Sequence, residues 1–182
     1  LEAWIYLDAM PGAGNYPRIF DLSNTRALQA FRLLYSPTGE LILGYSDEWG
    51  NNIYSGAYVT AAGTITANSW MHISATVSDS GAVKLYKNGT ELAASSTGNI
   101  WSNWGTEFSN MSWSTVWVGK STFEDGYLQG SVNDVRIYDK LRTADEIRAD
   151  MEGAINLSDT NLRSYYTFDG TLASGKAGGT AA

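Results

Sequence analysis

Apolar and polar residues alternate along most of this chain with a period of two, which places every second side chain on the same face of a β-strand. In the segments 1–7 and 71–77 every odd-numbered position is apolar. The same pattern predicts further strands at Arg18–Leu22, Ala27–Tyr35, Glu40–Tyr45, Val83–Lys87, Thr90–Ala93, Thr115–Gly119, Gly130–Tyr138 and Leu162–Phe168. Many short strands with glycine-rich turns favour two packed antiparallel sheets.

Two local signals add a turn and a helix to this pattern. An Asn-Gly pair at 88–89 separates two of the predicted strands, and both residues tolerate the positive φ of a tight hairpin turn. Thr143 and Glu146 have the spacing of a capping box at a helix start. Ile147 and Met151 follow one turn apart and give a short apolar stripe. We expect one short helix, packed at the edge of the sandwich.

The composition is that of one globular domain. The chain has 182 residues, 43% of them hydrophobic, and a net charge of −7. This charge argues against nucleic acid, which attracts clustered Lys and Arg, and against an anionic membrane surface. Cysteine is absent, so the chain has no disulfide or thiolate nucleophile.

Nothing in the sequence predicts insertion into a membrane. No apolar run approaches the roughly 20 residues of a membrane span. The chain opens on a predicted strand rather than a signal peptide. We therefore expect a module of a larger chain, secreted or at the cell surface and of bacterial origin, with its targeting sequence elsewhere.

Six segments carry a family resemblance, in this order: Glu2–Tyr6, Trp70–Thr76, Gly81–Gly89, Val118–Gly119, Gly130–Asp139 and Leu141–Ile147. They resemble the bacterial laminin-G-like branch of the concanavalin A-like lectin/glucanase jelly rolls. The resemblance implies an all-β, two-sheet antiparallel jelly-roll sandwich with one short helix near residues 143–151. We expect one domain over residues 1–172 and a flexible, Gly/Ala-rich tail over 173–182.

The chain departs from the family pattern in two places. A strand similar to 162–170 usually comes first in the family, but here it comes last. The resemblance implies that 162–168 replaces the usual first strand, by circular permutation or by exchange between molecules, or else begins a following repeat. Asn133 stands where the family often has Asp, so a metal-supporting role there is in doubt or passes to Asp134.

The sequence gives no support for catalysis. His72 is the only histidine and lies inside a predicted strand, which favours a structural role. Some relatives on this fold are glucanases with Glu-x-Asp-x-(x)-Glu on one strand, and this spacing does not occur here. The adjacent pairs Asp47-Glu48 and Glu124-Asp125 would point to opposite sides of an extended chain. We therefore predict a protein without enzymatic activity.

Two loops combine indole rings with carboxamides and carboxylates, the groups that stack on and hydrogen-bond to sugars. The predicted ligand-binding residues are Trp101, Asn103 and Trp104 in one loop and Asp47, Trp49, Asn51 and Asn52 in the other. Two structural alternatives remain open: the first loop folds back as a lid over the core, or the second is simply an acidic turn.

Calcium is the expected cofactor, in a structural or ligand-bridging role. The resemblance places Asp134 and Asp169 where the terminal strands of jelly-roll modules often hold calcium. Asp47 and Glu48 form a second candidate, since calcium prefers clustered carboxylate and carbonyl oxygens. Alternatively, Asp134 and Asp169 are strand-end carboxylates engaged only in hydrogen bonds.

These observations predict a non-catalytic, carbohydrate-binding module that uses aromatic stacking and side-chain hydrogen bonds, assisted by calcium. Its expected partner is a glycan or polysaccharide. Two other functions remain open. The first is an adhesion module with a protein ligand, in which the same tryptophans would anchor an interface. The second is a glycoside hydrolase of the concanavalin A-like fold.

Overall fold

The computed structural model of the chain describes residues 1–23, 30–46, 56–98, 115–121, 126–153 and 155–168. Within them, twelve strands form two six-stranded antiparallel sheets, and one helix follows the eleventh strand. The elements are β1 (Glu2–Leu7), β2 (Arg18–Ser23), β3 (Ala30–Tyr35), β4 (Leu41–Ser46), β5 (Gly56–Thr60), β6 (Trp70–Val77), β7 (Val83–Lys87), β8 (Thr90–Leu92), β9 (Ala94–Gly98), β10 (Thr115–Val118), β11 (Gly130–Tyr138), α1 (Ala144–Glu152) and β12 (Leu162–Tyr166). This confirms the predicted two-sheet antiparallel sandwich with one short helix.

We call the two layers sheet A and sheet B. Sheet A has the strand order β12-β11-β1-β6-β7-β8, and sheet B has the order β10-β2-β3-β4-β5-β9. Strands β8 and β9 belong to different sheets, although only Ala93 separates them in sequence. The chain therefore turns from one layer into the other at this point and joins their edges on one side.

The apolar core lies between the sheets, and the alternating pattern identified its members. Ala3, Ile5 and Leu7 on β1 are fully buried, as the odd positions predicted. On the inner face of sheet B, Phe31 on β3 lies opposite Tyr45 on β4, and their ring centroids are 4.8 Å apart. Burial of such side chains stabilises the fold by about 1.5–3 kcal/mol each.

Two strands were not predicted because their residues carry little apolar signal. Strand β9 reads Ala-Ser-Ser-Thr-Gly and is exposed throughout, so its side chains give no alternation to detect. It belongs to sheet B through its backbone pairing with β5, the other strand that was missed. Pairing partners distant in sequence therefore define these strands, and side-chain patterns do not.

The predicted turn and capping box are both present. Asn88 and Gly89 adopt φ values of 49° and 72°, as a tight turn between β7 and β8 requires. Thr143 Oγ1 accepts from the Glu146 amide at 3.2 Å, and Glu146 Oε2 accepts from the Thr143 amide at 2.8 Å. The reciprocal bonds satisfy free backbone N–H groups at the start of α1.

Helix α1 lies across the outer face of sheet A, and its predicted position at the sandwich edge was wrong. Its Asp150 carbonyl accepts from Arg136 on β11. At the other end of the face, Arg148 Nε donates to the Gly89 carbonyl in the β7–β8 turn at 3.3 Å. Ile147 is fully buried beneath the helix. Buried polar partners on the sheet, which a helical pattern does not reveal, determine where α1 docks.

Strand β12 is an edge strand of sheet A and pairs antiparallel with β11, with Arg136 opposite Tyr165. The replacement of the family's first strand by 162–168 stays a prediction, as does the domain boundary at 172. The proposed tail, 173–182, lies outside the described residues.

Candidate functional site

Most of the predicted site residues lie outside the part of the chain that the structure describes. These residues are Asp47, Glu48, Trp49, Asn51, Asn52, Trp101, Asn103, Trp104 and Asp169. Their roles in ligand or calcium binding stay predictions, and so do the alternatives of a lid and an acidic turn.

Asp134 is the predicted metal ligand that the structure does describe. It has a φ of 50° in β11, where the pairing of β11 with β1 shifts register. Its carboxylate accepts a hydrogen bond from the Tyr165 hydroxyl at 2.6 Å. Burial and this bond raise the pKa of Tyr165 to about 12. The contact fits the alternative in which the Asp134 carboxylate takes part in hydrogen bonds, although the residue lies in the middle of β11 and not at its end.

Metal coordination at Asp134 stays a prediction. Among the described residues, no group of three or more His, Cys, Asp or Glu side chains is arranged to hold a metal ion. Any set of oxygen ligands that includes Asp134 would therefore need further donors, such as the predicted Asp169.

The outer face of sheet B carries a continuous row of residues across all six strands. Directly opposite residues on adjacent antiparallel strands project from the same face. The row runs from β10 to β9 through Trp117, Asp21, Arg32, Gly44, Ala57 and Thr97. It passes from an aromatic and charged side to a side with small and hydroxylated residues, so the face offers different chemistry at its two edges.

The charged part of this row is a buried ion pair. Arg32 Nε lies 3.3 Å from Asp21 Oδ2, and the two side chains are 2% and 0% exposed. Ser121, which follows β10, donates to the same oxygen at 2.9 Å. Among the described residues, Asp21 Oδ1 has no hydrogen-bond partner. The pair holds β2, β3 and the segment after β10 together beneath the face.

An aromatic corner, formed by Trp117, Lys120 and Tyr127, lies on the β10 side of this face. The Lys120 ammonium sits 4.5 Å from the Trp117 ring centroid and 5.9 Å from that of Tyr127. Tyr127 is 65% exposed. The backbone is held at this point because Asn15 Oδ1 accepts from the Gly126 amide at 3.1 Å. The corner presents an open ring beside a positively charged donor.

A cavity of about 350 Å³ opens on the same face toward β9, at the lower end of the range for small-molecule pockets. Ile42, Val59, Ala57 and Thr97 line it from β4, β5 and β9, and Tyr16 closes one side. Tyr16 adjoins Asn15 in sequence, and Asn15 accepts from the Gly126 amide next to Tyr127.

Sequence reasoning missed most of this surface. The pattern placed Trp117 in the predicted strand Thr115–Gly119 without assigning it to a binding site, and Tyr127 and Tyr16 were not identified as candidates. The alternating pattern of β10 gives the side of Trp117, but no spacing brings Tyr127 to Lys120. Their proximity depends on the path of the chain between β10 and β11.

A larger groove, about 1010 Å³, opens between the sheets at one end of the sandwich. Its lining includes Leu22, Leu43, Val77 and Ile137, which belong to the two inner faces. Its lining also includes the Tyr138 ring and polar side chains such as Asp79, Lys140 and Asn161, so the groove offers stacking and hydrogen-bonding groups as well. Part of this lining is already engaged within the protein, because Tyr138 donates to Asp150 and Arg163 pairs with Asp139. The groove is a second candidate surface beside the outer face of sheet B.

His72 belongs to a buried polar layer beneath α1, not to an open site. Its Nε2 lies 3.6 Å from Glu2 Oε2, and the side chains are 1% and 0% exposed. Among the described residues, neither carboxyl oxygen of Glu2 has a hydrogen-bond partner. Burial raises the pKa of Glu2 to about 7 and lowers the pKa of His72 to about 4. Enclosure of both groups prevents contact with a substrate.

Substitution of Glu2 by Gln is expected to stabilise the protein in alkaline solution. The folded state keeps Glu2 protonated up to about pH 7, whereas an unfolded chain ionises it from about pH 4.5. The stability that this proton affinity supports is present below pH 4.5 and is lost as the pH rises to 7. Glu2→Gln removes the loss, so its gain in unfolding free energy should be about 2 kcal/mol larger at pH 8 than at pH 5.

Urea unfolding of both proteins at pH 5 and pH 8 measures this difference. His72 is present in both chains, so its own titration cancels in the comparison. An equal effect of Glu2→Gln at the two pH values would show that Glu2 titrates normally in the folded protein.

No helix in the described part of the chain is long and apolar enough to cross a membrane.

The fold defines a class of protein. Two six-stranded antiparallel sheets around one core are the architecture of a lectin-like binding module. The family model described as "Concanavalin A-like lectin/glucanases superfamily", in its laminin-G-like form, matches residues 1–148. The chain therefore belongs to this family, as the sequence resemblance indicated. The family includes lectins and glucanases, so membership alone leaves open whether the chain is catalytic.

One solved structure agrees with the fold, and a second is more distantly similar. A heptameric SAP-like pentraxin from Limulus polyphemus matches with a TM-score of 0.50 and 16% identity, over 81% of this chain and 66% of that chain. An S-layer domain-containing protein from Clostridium thermocellum matches with a TM-score of 0.37 and 25% identity, over 80% of this chain and 65% of that chain. This chain thus spans less than two thirds of either protein. Among curated proteins, none matches this chain.

Proposed function

We propose that the chain is a non-catalytic carbohydrate-binding module of a secreted or cell-surface protein. The observation that carries the proposal is the aromatic corner on the outer face of sheet B, with Tyr127 65% exposed and Lys120 beside it. Family membership adds to the case, since lectins share this fold.

Binding would start at the Tyr127 ring. A pyranose presents C–H groups on one face, which pack against an aromatic ring, and hydroxyl groups around its rim. Lys120 can donate hydrogen bonds to those hydroxyls. Next along the surface, Tyr16 and Thr97 offer further hydroxyl groups at the cavity.

The predicted loops would extend this surface. Trp101 and Trp104 would add stacking rings, and Asp47, with Asn51, would add hydrogen bonds to sugar hydroxyls. Calcium would act through Asp134 with Asp169, or through Asp47 with Glu48. Open sites of this kind give weak binding per site because few groups are desolvated, so several modules in one chain would raise the avidity.

A protein ligand is the second candidate, because an exposed tyrosine also anchors protein interfaces. The two candidates differ in their hydrogen bonds. A sugar needs hydrogen-bond donors such as Lys120 close to the ring, whereas a protein contact of usual size needs about 800 Å² on each partner. The Lys120 ammonium near the exposed Tyr127 ring favours the sugar.

A glycan array, probed with the chain in millimolar calcium and after chelation, tests the proposal. We expect reproducible binding to at least one glycan. In solution, Tyr127→Ala should weaken that binding about tenfold, equivalent to about 1.4 kcal/mol. Leu141→Ala is the matched control, because Leu141 is also exposed, at 52%, but lies away from the outer face of sheet B. Titration calorimetry with the bound glycan gives both affinities.

The same measurement tests the other predicted groups. Loss of binding in Trp101→Ala or Trp104→Ala would support their stacking role, and loss on chelation would support the calcium role. An empty array together with binding to a protein ligand would favour the adhesion module. Product release from a polysaccharide would contradict the absence of catalysis.

A further inference from the structure

Helix α1 covers only part of the outer face of sheet A, and aromatic rings lie exposed on the remainder. Tyr6 on β1 is directly opposite Trp70 on β6, so both rings project from this face. Their centroids are 5.7 Å apart, and their planes are inclined by 54°. Trp70 is 48% exposed, the highest value of any described tryptophan. We call this pair the Trp70–Tyr6 platform.

The platform is supported from the side nearest the helix. Trp4 lies two residues before Tyr6 and shares its face, opposite His72. The Trp4 and His72 rings meet edge to face at 5.4 Å. Because His72 is buried, this contact fixes the position of Trp4. Trp4, Tyr6 and Trp70 therefore project from the same face of β1 and β6.

The groups around the platform are polar, and they include the exposed carboxylate of Asp8, two residues after Tyr6 on the same face. Ser131 on β11 is directly opposite Tyr6, and Asn133 is directly opposite Trp4. Asn68 and Ser69, just before Trp70, are exposed. Asn68 holds a φ of 62°, and its amide donates to the Leu7 carbonyl at 2.8 Å. These side chains provide hydroxyls and carboxamides, which match sugar hydroxyls and provide no cation for an anionic group.

We propose that the Trp70–Tyr6 platform binds two consecutive pyranose units of a neutral, soluble polysaccharide chain. The ring separation is comparable with the length of one pyranose unit. Rings inclined by 54° cannot both lie flat on a crystalline polysaccharide surface, but a single chain that twists along its length can contact both. A rim of hydroxyls, carboxamides and the Asp8 carboxylate selects neutral chains over polyuronates, sulfated glycans and phosphorylated polymers, because it offers them no cation and repels their negative charge.

This site is separate from the aromatic corner on sheet B and does not depend on it. The two lie on the outer faces of opposite sheets, so one module could hold two polysaccharide chains. A module with two such faces would cross-link polymer as well as attach to it.

Affinity gel electrophoresis with two neutral polymers, hydroxyethylcellulose and konjac glucomannan, tests the proposal, with polygalacturonate as the anionic comparison. The variants are Trp70→Ala and Tyr6→Ala, each made in the wild-type chain and in the Tyr127→Ala background. Leu157→Ala is the matched control, since Leu157 is 47% exposed and was assigned to neither surface. Trp70→Leu keeps an apolar side chain without the aromatic face, so it tests the role of the ring if the alanine variant does not fold.

We expect a neutral polymer to retard the Tyr127→Ala chain, and Trp70→Ala or Trp70→Leu to weaken this retardation at least tenfold. Leu157→Ala should have no effect, and polygalacturonate should not retard any variant. Retention of binding in the Trp70 variants would overturn the platform, as would a Tyr127→Ala chain that neither polymer retards. A dimer in sedimentation that Trp70→Ala dissociates would also overturn it, because a second copy would then be the occupant.

The two sites fail separately. If Tyr127→Ala leaves binding unchanged while Trp70→Ala abolishes it, the sheet B site is wrong and the platform stands. The opposite result retains the sheet B site and removes the platform.

Discussion

Asp21→Ala is expected to lower the free energy of unfolding by about 3–5 kcal/mol, the range for removal of one partner from a buried ion pair. Asp21 is fully buried and accepts from both Arg32 and Ser121 through one oxygen. The substitution takes the Asp21 carboxylate away from the Arg32 guanidinium, which is 2% exposed. Urea unfolding monitored by tryptophan fluorescence measures the loss.

Two comparisons isolate the cause of this loss. Asp79→Ala removes an exposed carboxylate and should change stability by less than about 0.5 kcal/mol. The double variant Asp21→Leu with Arg32→Met removes both charges and should recover most of the stability, because apolar pairs often replace buried ion pairs without cost. A loss below about 1 kcal/mol in Asp21→Ala would show that the pair is well solvated.

Gly130→Ala is expected to destabilise the protein by about 3 kcal/mol or more, because backbone strain and a clash with the β1 backbone act together. Gly130 has a φ of 151°, and a Cβ atom there would lie 1.9 Å from the Tyr6 carbonyl oxygen. The backbone fixes the position of the Cβ atom, and the Tyr6 carbonyl oxygen is itself part of the β1 backbone. Neither can move alone, so β1 and β11 would have to separate at this end of sheet A. Thermal and urea unfolding of the variant give the loss.

Gly12→Ala provides the matched control for this prediction. A Cβ at Gly12 meets no atom within 4 Å, and its φ lies outside the left-handed region. This variant should retain the stability of the parent or gain about 0.4–1 kcal/mol from a less flexible unfolded chain. Equal stability of the two glycine variants would mean that β11 can shift away from Tyr6 without cost.

Gly130 also bears on the proposed platform, because it starts the strand that lies beside Tyr6. Gly130 also lies three residues after Tyr127, so Gly130→Ala is expected to disturb the aromatic corner as well as the platform. The variant therefore tests the stability of the fold and does not separate the two binding sites.

The alternation of apolar residues predicted the class of fold and most strands of both sheets. Ala3, Ile5 and Leu7 occupy the core as their spacing required, since a strand can bury only every second side chain against the opposite sheet. The capping box predicted the helix because all its partners lie within one turn. Patterns of this kind involve only residues that are close in sequence, so the sequence alone is enough to predict them.

Other features depend on residues far apart in the chain, and the sequence does not reveal them. Strand β9 exists because its backbone pairs with β5. Helix α1 docks on sheet A because its Asp150 carbonyl accepts from Arg136 and its Arg148 side chain donates to the Gly89 carbonyl. Tyr127 reaches Lys120 only through the path of the backbone after β10.

The candidate binding surfaces also depend partly on local patterns and partly on contacts between distant residues. The sequence alone determined a β-sandwich with aromatic residues on its strands, because side-chain alternation is a local property. Which rings remain open to solvent was decided by tertiary structure: α1 covers the sheet around Glu2 and leaves Trp70 exposed, since a short helix cannot cover a six-stranded face.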